Sequence, residues 1–148
     1  MTQPLFVDTG GWIAYFDKSD NAHEIFKDCL SRTIRGTDWR LHTSDYIIDE
    51  TVTFLRYHTG HATACTALDN FRDLESSGLL VCHSIEKEFR QRAEDLFRQY
   101  QDQKFSFTDC TLFALCQSRS IGHVVTVDSD FRILGFLLAP YDVSLQES

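Results

Sequence analysis

The side chains in this sequence best suited to chemistry are acids. Asp8 follows the apolar run Leu5–Val7, and Asp128 follows Val124–Val127. An Asp after a strand is good turn chemistry by itself, but in an open α/β sheet the ligand crevice also lies at the strand ends. Asp109 stands near the start of a segment that is apolar nearly all round, through Phe107, Cys110, Leu112, Phe113, Ala114, Leu115 and Cys116. A helix of that kind is usually buried, and a carboxylate on it needs a partner or a shifted pKa. Ser106 and Asp109 have the spacing of a capping box, a role compatible with ligand binding, and Thr108 adds a polar group at the same helix end. Asp49 and Glu50 flank the apolar face of another helix on opposite sides, and helical geometry does not choose between them. Oxygen donors of this type suit Mg²⁺ or Mn²⁺ rather than zinc.

No cysteine or histidine set competes with the acids. The five cysteines (Cys29, Cys65, Cys82, Cys110 and Cys116) are odd in number, scattered and never arranged as C-x-x-C. Most read as small buried apolar residues of a reducing compartment. His58 and His61 are the one close histidine pair in sequence, at a helix end where positive charge complements the dipole. Arg32, Arg35 and Arg40, and separately Arg90, Arg92 and Arg98, are the clusters available for phosphate contact. A solvated helix face accounts for either more simply.

A chain of 148 residues with 43% hydrophobic content fits one domain, residues 1–148, with a single core. Its 12 Phe imply a tightly packed interior and apolar surface to spare for a partner. The net charge of −8 argues against nucleic-acid binding through bulk electrostatics. It does not argue against an enzyme whose carboxylates hold cations, because two divalent ions would cancel half of the excess. No apolar run reaches the roughly 18 residues of a membrane span, and MTQPLFVDTGG lacks the features of a signal peptide. The expected location is the cytoplasm.

These residues need elements to position them. Leu5–Val7 reads as a buried strand, with Gly10 and Gly11 as a turn after it. Helical spacing covers about 12–16 and 21–34, and a second strand covers about 40–43. Ser44 caps a helix to about His58, and another helix spans about 62–75. Leu79–His83 is a strand with Ser84 as the following cap, and a charged amphipathic helix runs to about Tyr100. Ser106 opens the apolar helix to about Arg119, and Val124–Val127 is a strand. A turn around Phe131 then leads to the apolar stretch Gly135–Leu138. Strands alternate with helices throughout, so the expected fold is a three-layer α/β/α sandwich around a mainly parallel sheet.

The segments LFVDTGGWIAYFD, IIDETVTFLR, FSFTDCTLFALC and TVDSDF resemble, in order, the four acidic motifs of PIN-domain proteins. Closest are the VapC-type toxins of prokaryotic toxin–antitoxin systems, and the similarity runs from about Leu5 to Leu138. The resemblance places the family's acids on Asp8, Glu50, Asp109 and Asp128, and so selects Glu50 over Asp49. It implies a PIN-like fold and an Mg²⁺- or Mn²⁺-dependent endoribonuclease. Its RNA substrate would be structured, such as tRNA or a ribosomal loop, and cleavage would leave a 5′-phosphate and a 3′-hydroxyl. A small antitoxin partner that places a basic side chain among the acids is also implied, and homodimers are common in the family. Thr9, Thr108 and Thr126 sit beside the acids and are expected to orient ligands or water. Asp130 is a helper or a plain turn residue.

Two other classes compete with this reading. A phosphoaspartate phosphatase or receiver domain also puts Asp after a strand. However, the phosphatase wants a second Asp where Gly10 stands, and the receiver wants an adjacent acidic pair near the start. A non-enzymatic interaction module would keep the acids only as a surface for a partner.

Overall fold

The computed structural model describes residues 2–36 and 38–145. Strand β1 (Gln3–Val7) leads into α1 (Thr9–Phe16) and α2 (His23–Gly36). Strand β2 (Trp39–Ser44) is followed by α3 (Asp45–His58) and α4 (His61–Ser76), and β3 (Leu80–His83) by α5 (Lys87–Gln99) and α6 (Phe107–Arg119). Then come β4 (His123–Val125), a 3-10 helix (Ser129–Leu134) and β5 (Leu137–Ala139).

The five strands form one sheet in the order β3-β2-β1-β4-β5, and every neighbouring pair is parallel. This is the α/β sandwich expected from the alternation of elements. Leu5, Phe6 and Val7 are fully buried, because the central strand of a parallel sheet is covered on both faces. Parallel strands are joined by right-handed crossovers. The chain steps from β1 to β2 to β3 in one direction, which puts α1–α4 on one face. It then returns to β4 and β5, which puts α5, α6 and the 3-10 helix on the other. Connections therefore leave β1 and β4 in opposite directions, and the crevice at such a switch point lies at the carboxyl ends of those two strands.

Local chemistry sets the element boundaries. Ser44 caps α3, its side chain accepting from the Ile47 N–H at 3.3 Å. Ser84 is not the cap of α5. Ile85 is buried and its N–H donates to Asp45 Oδ1 at 3.1 Å, so the helix begins only at Lys87. Gly10 and Gly11 are not a turn but the first turn of α1. A Cβ on Gly11 would stand 2.9 Å from the Val125 carbonyl oxygen, so glycine is what lets α1 press against the end of β4. Strand β4 stops at Val125 rather than Val127, because the Thr126 hydroxyl turns towards Asp8 and Val127 is exposed.

The core holds most of the aromatic residues. The Trp12 indole N–H donates to Thr43 Oγ1 at 3.1 Å, tying α1 to β2. Phe113 meets Phe105, Phe131 and Phe136 at centroid separations of 5.0, 4.9 and 5.8 Å. The expected surplus of phenylalanine surface is largely absent, since Phe97 is the one exposed phenylalanine among the described residues. All five cysteines are free thiols, and Cys29, Cys110 and Cys116 are buried. The sheet also joins two histidines that are distant in sequence: His42 Nδ1 lies 2.8 Å from His83 Nε2, with the rings stacked. No helix among the described residues is long and apolar enough to cross a membrane.

Candidate active site

Asp8 sits where β1 ends and α1 begins, 5% exposed. Its backbone N–H donates to the Val125 carbonyl at 2.9 Å, which fixes it against the end of β4. Its Oδ2 accepts from the Thr126 hydroxyl at 2.9 Å, and the Asp128 N–H donates to that same hydroxyl oxygen at 3.1 Å. Asp128 Oδ1 in turn accepts from the Asp130 N–H at 2.9 Å. Thr126 thus links the first and fourth acids of the sequence motifs. Asp130 supports Asp128 through its backbone, and its own side chain is exposed.

Asp8 Oδ1 is buried and has no hydrogen-bond partner among the described residues. Burial first, and then the Asp109 carboxylate, push the Asp8 carboxyl up to about 7. The Thr126 hydroxyl and the Thr9 N–H work the other way, and Glu50 adds to the rise. Asp109 is the third residue of α6 and completes the capping box read from its spacing. Its N–H donates to Ser106 Oγ at 3.0 Å, and its Oδ2 accepts from the Ser106 N–H at 2.9 Å. Burial raises its pKa to about 6 against the lowering effect of Ser106, with further rises from Glu50 and Asp128.

These influences bring all four acids into one electrostatic field. Glu50 is half-buried and acts on both Asp8 and Asp109, whereas Asp49 is exposed and acts on neither. Among the described residues, no three His, Cys, Asp or Glu side chains close into a formed metal cage. The donor set nevertheless fits a hard divalent cation: it is all oxygen, partly desolvated, and includes one buried carboxylate oxygen with nothing to bind. Thr9 Oγ1 is a second buried oxygen without a partner beside Asp8. Thr108 is half-buried at the start of α6, where its carbonyl accepts from the Thr111 hydroxyl at 2.6 Å. The position two residues after Asp8, where a phosphatase carries its second Asp, is held by Gly10 and crowded by the Val127 side chain: a Cβ there would lie 2.7 Å from Val127 Cγ2.

One polar group here was missed by sequence reasoning. Thr51, next to Glu50, is fully buried, and its hydroxyl has no partner among the described residues. A lone hydroxyl within the apolar stripe of α3 was the available signal.

The arginine clusters divide. Arg35 and Arg40 lie where α2 passes into β2, at the amino end of the sheet and away from the acids. Arg32 pairs with Asp28 at 3.0 Å. Arg90 and Arg92 are exposed on α5, whereas Arg98 lines a cavity shared with Cys110, the neighbour of Asp109.

A parallel five-stranded α/β sandwich with acids gathered at its switch point defines the class of protein. The chain belongs to the PIN domain family, whose profile matches residues 5–137. Its similar relatives include the 23S rRNA-specific endonuclease VapC20 of two Mycobacterium tuberculosis strains. That protein is 26% identical over 133 residues, 90% of this chain and 95% of the relative. The crystal structure of M. tuberculosis VapC20, a sarcin-ricin loop cleaving toxin, matches with a TM-score of 0.78 at 25% identity. The match covers 90% of this chain and 96% of that one. The structure of VapBC2 from Rickettsia felis, bound to a DNA fragment from its promoter, shares the fold with a TM-score of 0.66. It is 11% identical and covers 92% of this chain and 97% of that one.

Proposed function

We propose that this chain is a divalent-metal-dependent endoribonuclease and the toxin of a type II toxin–antitoxin pair, acting as one domain in the cytoplasm. The observation that carries the reading is the buried, unpartnered Asp8 Oδ1 in a field shared with Glu50, Asp109 and Asp128. The likeness to VapC20 over nearly the whole of both chains supports the same reading and favours a ribosomal RNA substrate.

Asp8 and Asp109 would hold Mg²⁺ or Mn²⁺, Asp128 would complete the site, and Glu50 would hold the cation or orient the attacking water. When bound, the cation lowers the pKa of water and stabilises charge that builds on the phosphodiester. The chain's own groups keep the acids in place. Thr126 aims Asp8 by occupying its Oδ2, and Ser106 fixes Asp109 through Oδ2. In each case the hydrogen bond leaves the other carboxylate oxygen available. Thr9 and Thr108 stand close enough in sequence to orient water or ligands beside these acids. A small antitoxin would inhibit by covering apolar surface and placing a basic side chain among the acids, and the toxin itself would form homodimers.

The test is incubation of purified chain with total RNA in Mg²⁺, Mn²⁺ or EDTA. Cleavage is expected only with a metal ion. Asp109→Asn keeps an acceptor for the Ser106 N–H, so the fold survives while cleavage is lost. Full activity in that variant, or undiminished cleavage in EDTA, would overturn the assignment. A wild-type chain that cuts no RNA would leave the non-enzymatic interaction module.

A further inference from the structure

A cavity of about 450 Å³ opens beside the first turn of α6, walled by Phe97, Arg98, Gln101, Gln103, Phe105 and Cys110. Cys110 follows Asp109 directly, and Ser106, at the end of the loop that forms the cavity, is hydrogen-bonded to Asp109. We propose that this cavity receives an unpaired purine base of the RNA, one next to the bond that is cut. The proposal rests on the ribonuclease reading above and assigns that site a specificity pocket.

Three features of the lining favour a base. Phe97 is 50% exposed although the other phenylalanines are buried or half-buried, and it is held edge to face against Phe107 at 6.2 Å. An exposed aromatic ring on a fixed backbone is a stacking platform for a splayed-out base. The side-chain amides of Gln101 and Gln103 make no hydrogen bond among the described residues, so their donors and acceptors are free. Arg98 is exposed and has no ion pair among them. A Gln amide matches adenine N6 and N7, and an Arg guanidinium matches guanine O6 and N7, so this set of groups suits the edge of a purine.

The walls are preorganised. The Tyr100 N–H donates to the Leu96 carbonyl and the Gln103 N–H to the Tyr100 carbonyl, each at 3.0 Å. Phe105 is buried and anchors the loop against Phe113 at 5.0 Å. Charge points the same way, since a chain of net charge −8 gains little from phosphates and needs contacts to bases. The larger cavity, about 600 Å³ around Asp17–Ser19 and Thr59–Thr66, lies at the far end of α3 from Glu50.

The experiment digests total RNA in Mn²⁺ with wild-type, Phe97→Ala, Phe97→Tyr and Gln103→Ala proteins and sequences the new 5′ ends. Thermal melts and circular dichroism check that each variant is folded. Wild-type cut sites should share a purine at one fixed position within a few nucleotides of the cut. Phe97→Ala and Gln103→Ala should cut those sites at least about fivefold more slowly at limiting RNA and lose the purine preference. Phe97→Tyr should retain both rate and preference, and it is the loss of purine preference in a folded Phe97→Ala protein that a merely structural role for Phe97 would not explain. Wild-type sites without a fixed purine, or variants that cut the same sites at the wild-type rate, overturn the pocket and leave the ribonuclease reading intact. Variants that cut normally but lose a co-purifying protein also overturn it, in favour of a protein occupant. If the wild type cuts no RNA, the ribonuclease reading fails and the pocket fails with it.

Discussion

At the scale of single residues, the carboxyl group of Asp8 sets the energetics of the site. In the unfolded chain it ionises near 3.8, and in the fold near 7. Between those values the folded state holds the extra proton, so stability falls as the pH rises from about 4 to about 7 and stays low above that. Asp8→Asn keeps an acceptor for Thr126 and removes the buried charge. In EDTA its melting temperature should exceed that of the wild type at pH 8 and differ little at pH 4. The gain at pH 8 should be on the order of 4 kcal/mol, the worth of a rise from 3.8 to about 7. Equal gains at both pH values would count against the burial argument. The acids themselves were legible because Asp8 and Asp128 break apolar runs and Asp109 interrupts an apolar helix. Glu50 was not legible from spacing, because a helix border offers Asp49 equally. What separates them is burial: Glu50 is half-buried and reaches Asp8 and Asp109, while Asp49 faces solvent.

At the scale of elements, the contact between α1 and the end of β4 positions Asp8 against Thr126. Gly11→Ala would put a methyl group 2.9 Å from the Val125 carbonyl oxygen, a backbone atom that cannot swing away. It should cost on the order of 1–3 kcal/mol, and RNA cleavage should fall further than the melting temperature implies, because the shift separates Asp8 from Thr126. Gly10→Ala meets only the side chain of exposed Val127, which can rotate, so its effect should be smaller. Thermal melts and cleavage rates measured on both variants distinguish these outcomes. Strand and helix order were legible from apolar runs and caps such as Ser44 and Ser106. The start of α1 was not, because two glycines after a strand look like a turn until the neighbour they press against is known. The His42–His83 pair was hidden for a related reason. Residues 41 positions apart become neighbours only through the pairing of β2 with β3.

At the scale of the whole molecule, charge and topology pull in different directions. A net charge of −8 with few cations near the acids implies few phosphate contacts. The apparent KM for RNA should therefore depend weakly on salt, with a log–log slope smaller in magnitude than about 3. A slope near that of a strongly basic binder would show that the arginines of α2 or α5 carry more of the RNA than their positions imply. The sheet was legible as parallel α/β from element alternation alone, but the strand order was not, because it depends on which crossovers reverse. That order has a consequence for how the protein is made. Asp8 leaves the ribosome 118 residues before the hydroxyl that aims it, Thr126. Strand β1 lies between β2 and β4, so one of its two flanking partners is missing until β4 has been made. A growing chain thus carries its first acid long before the fold can hold it in place, and the four acids come together only once β4 and the turn after it have been made.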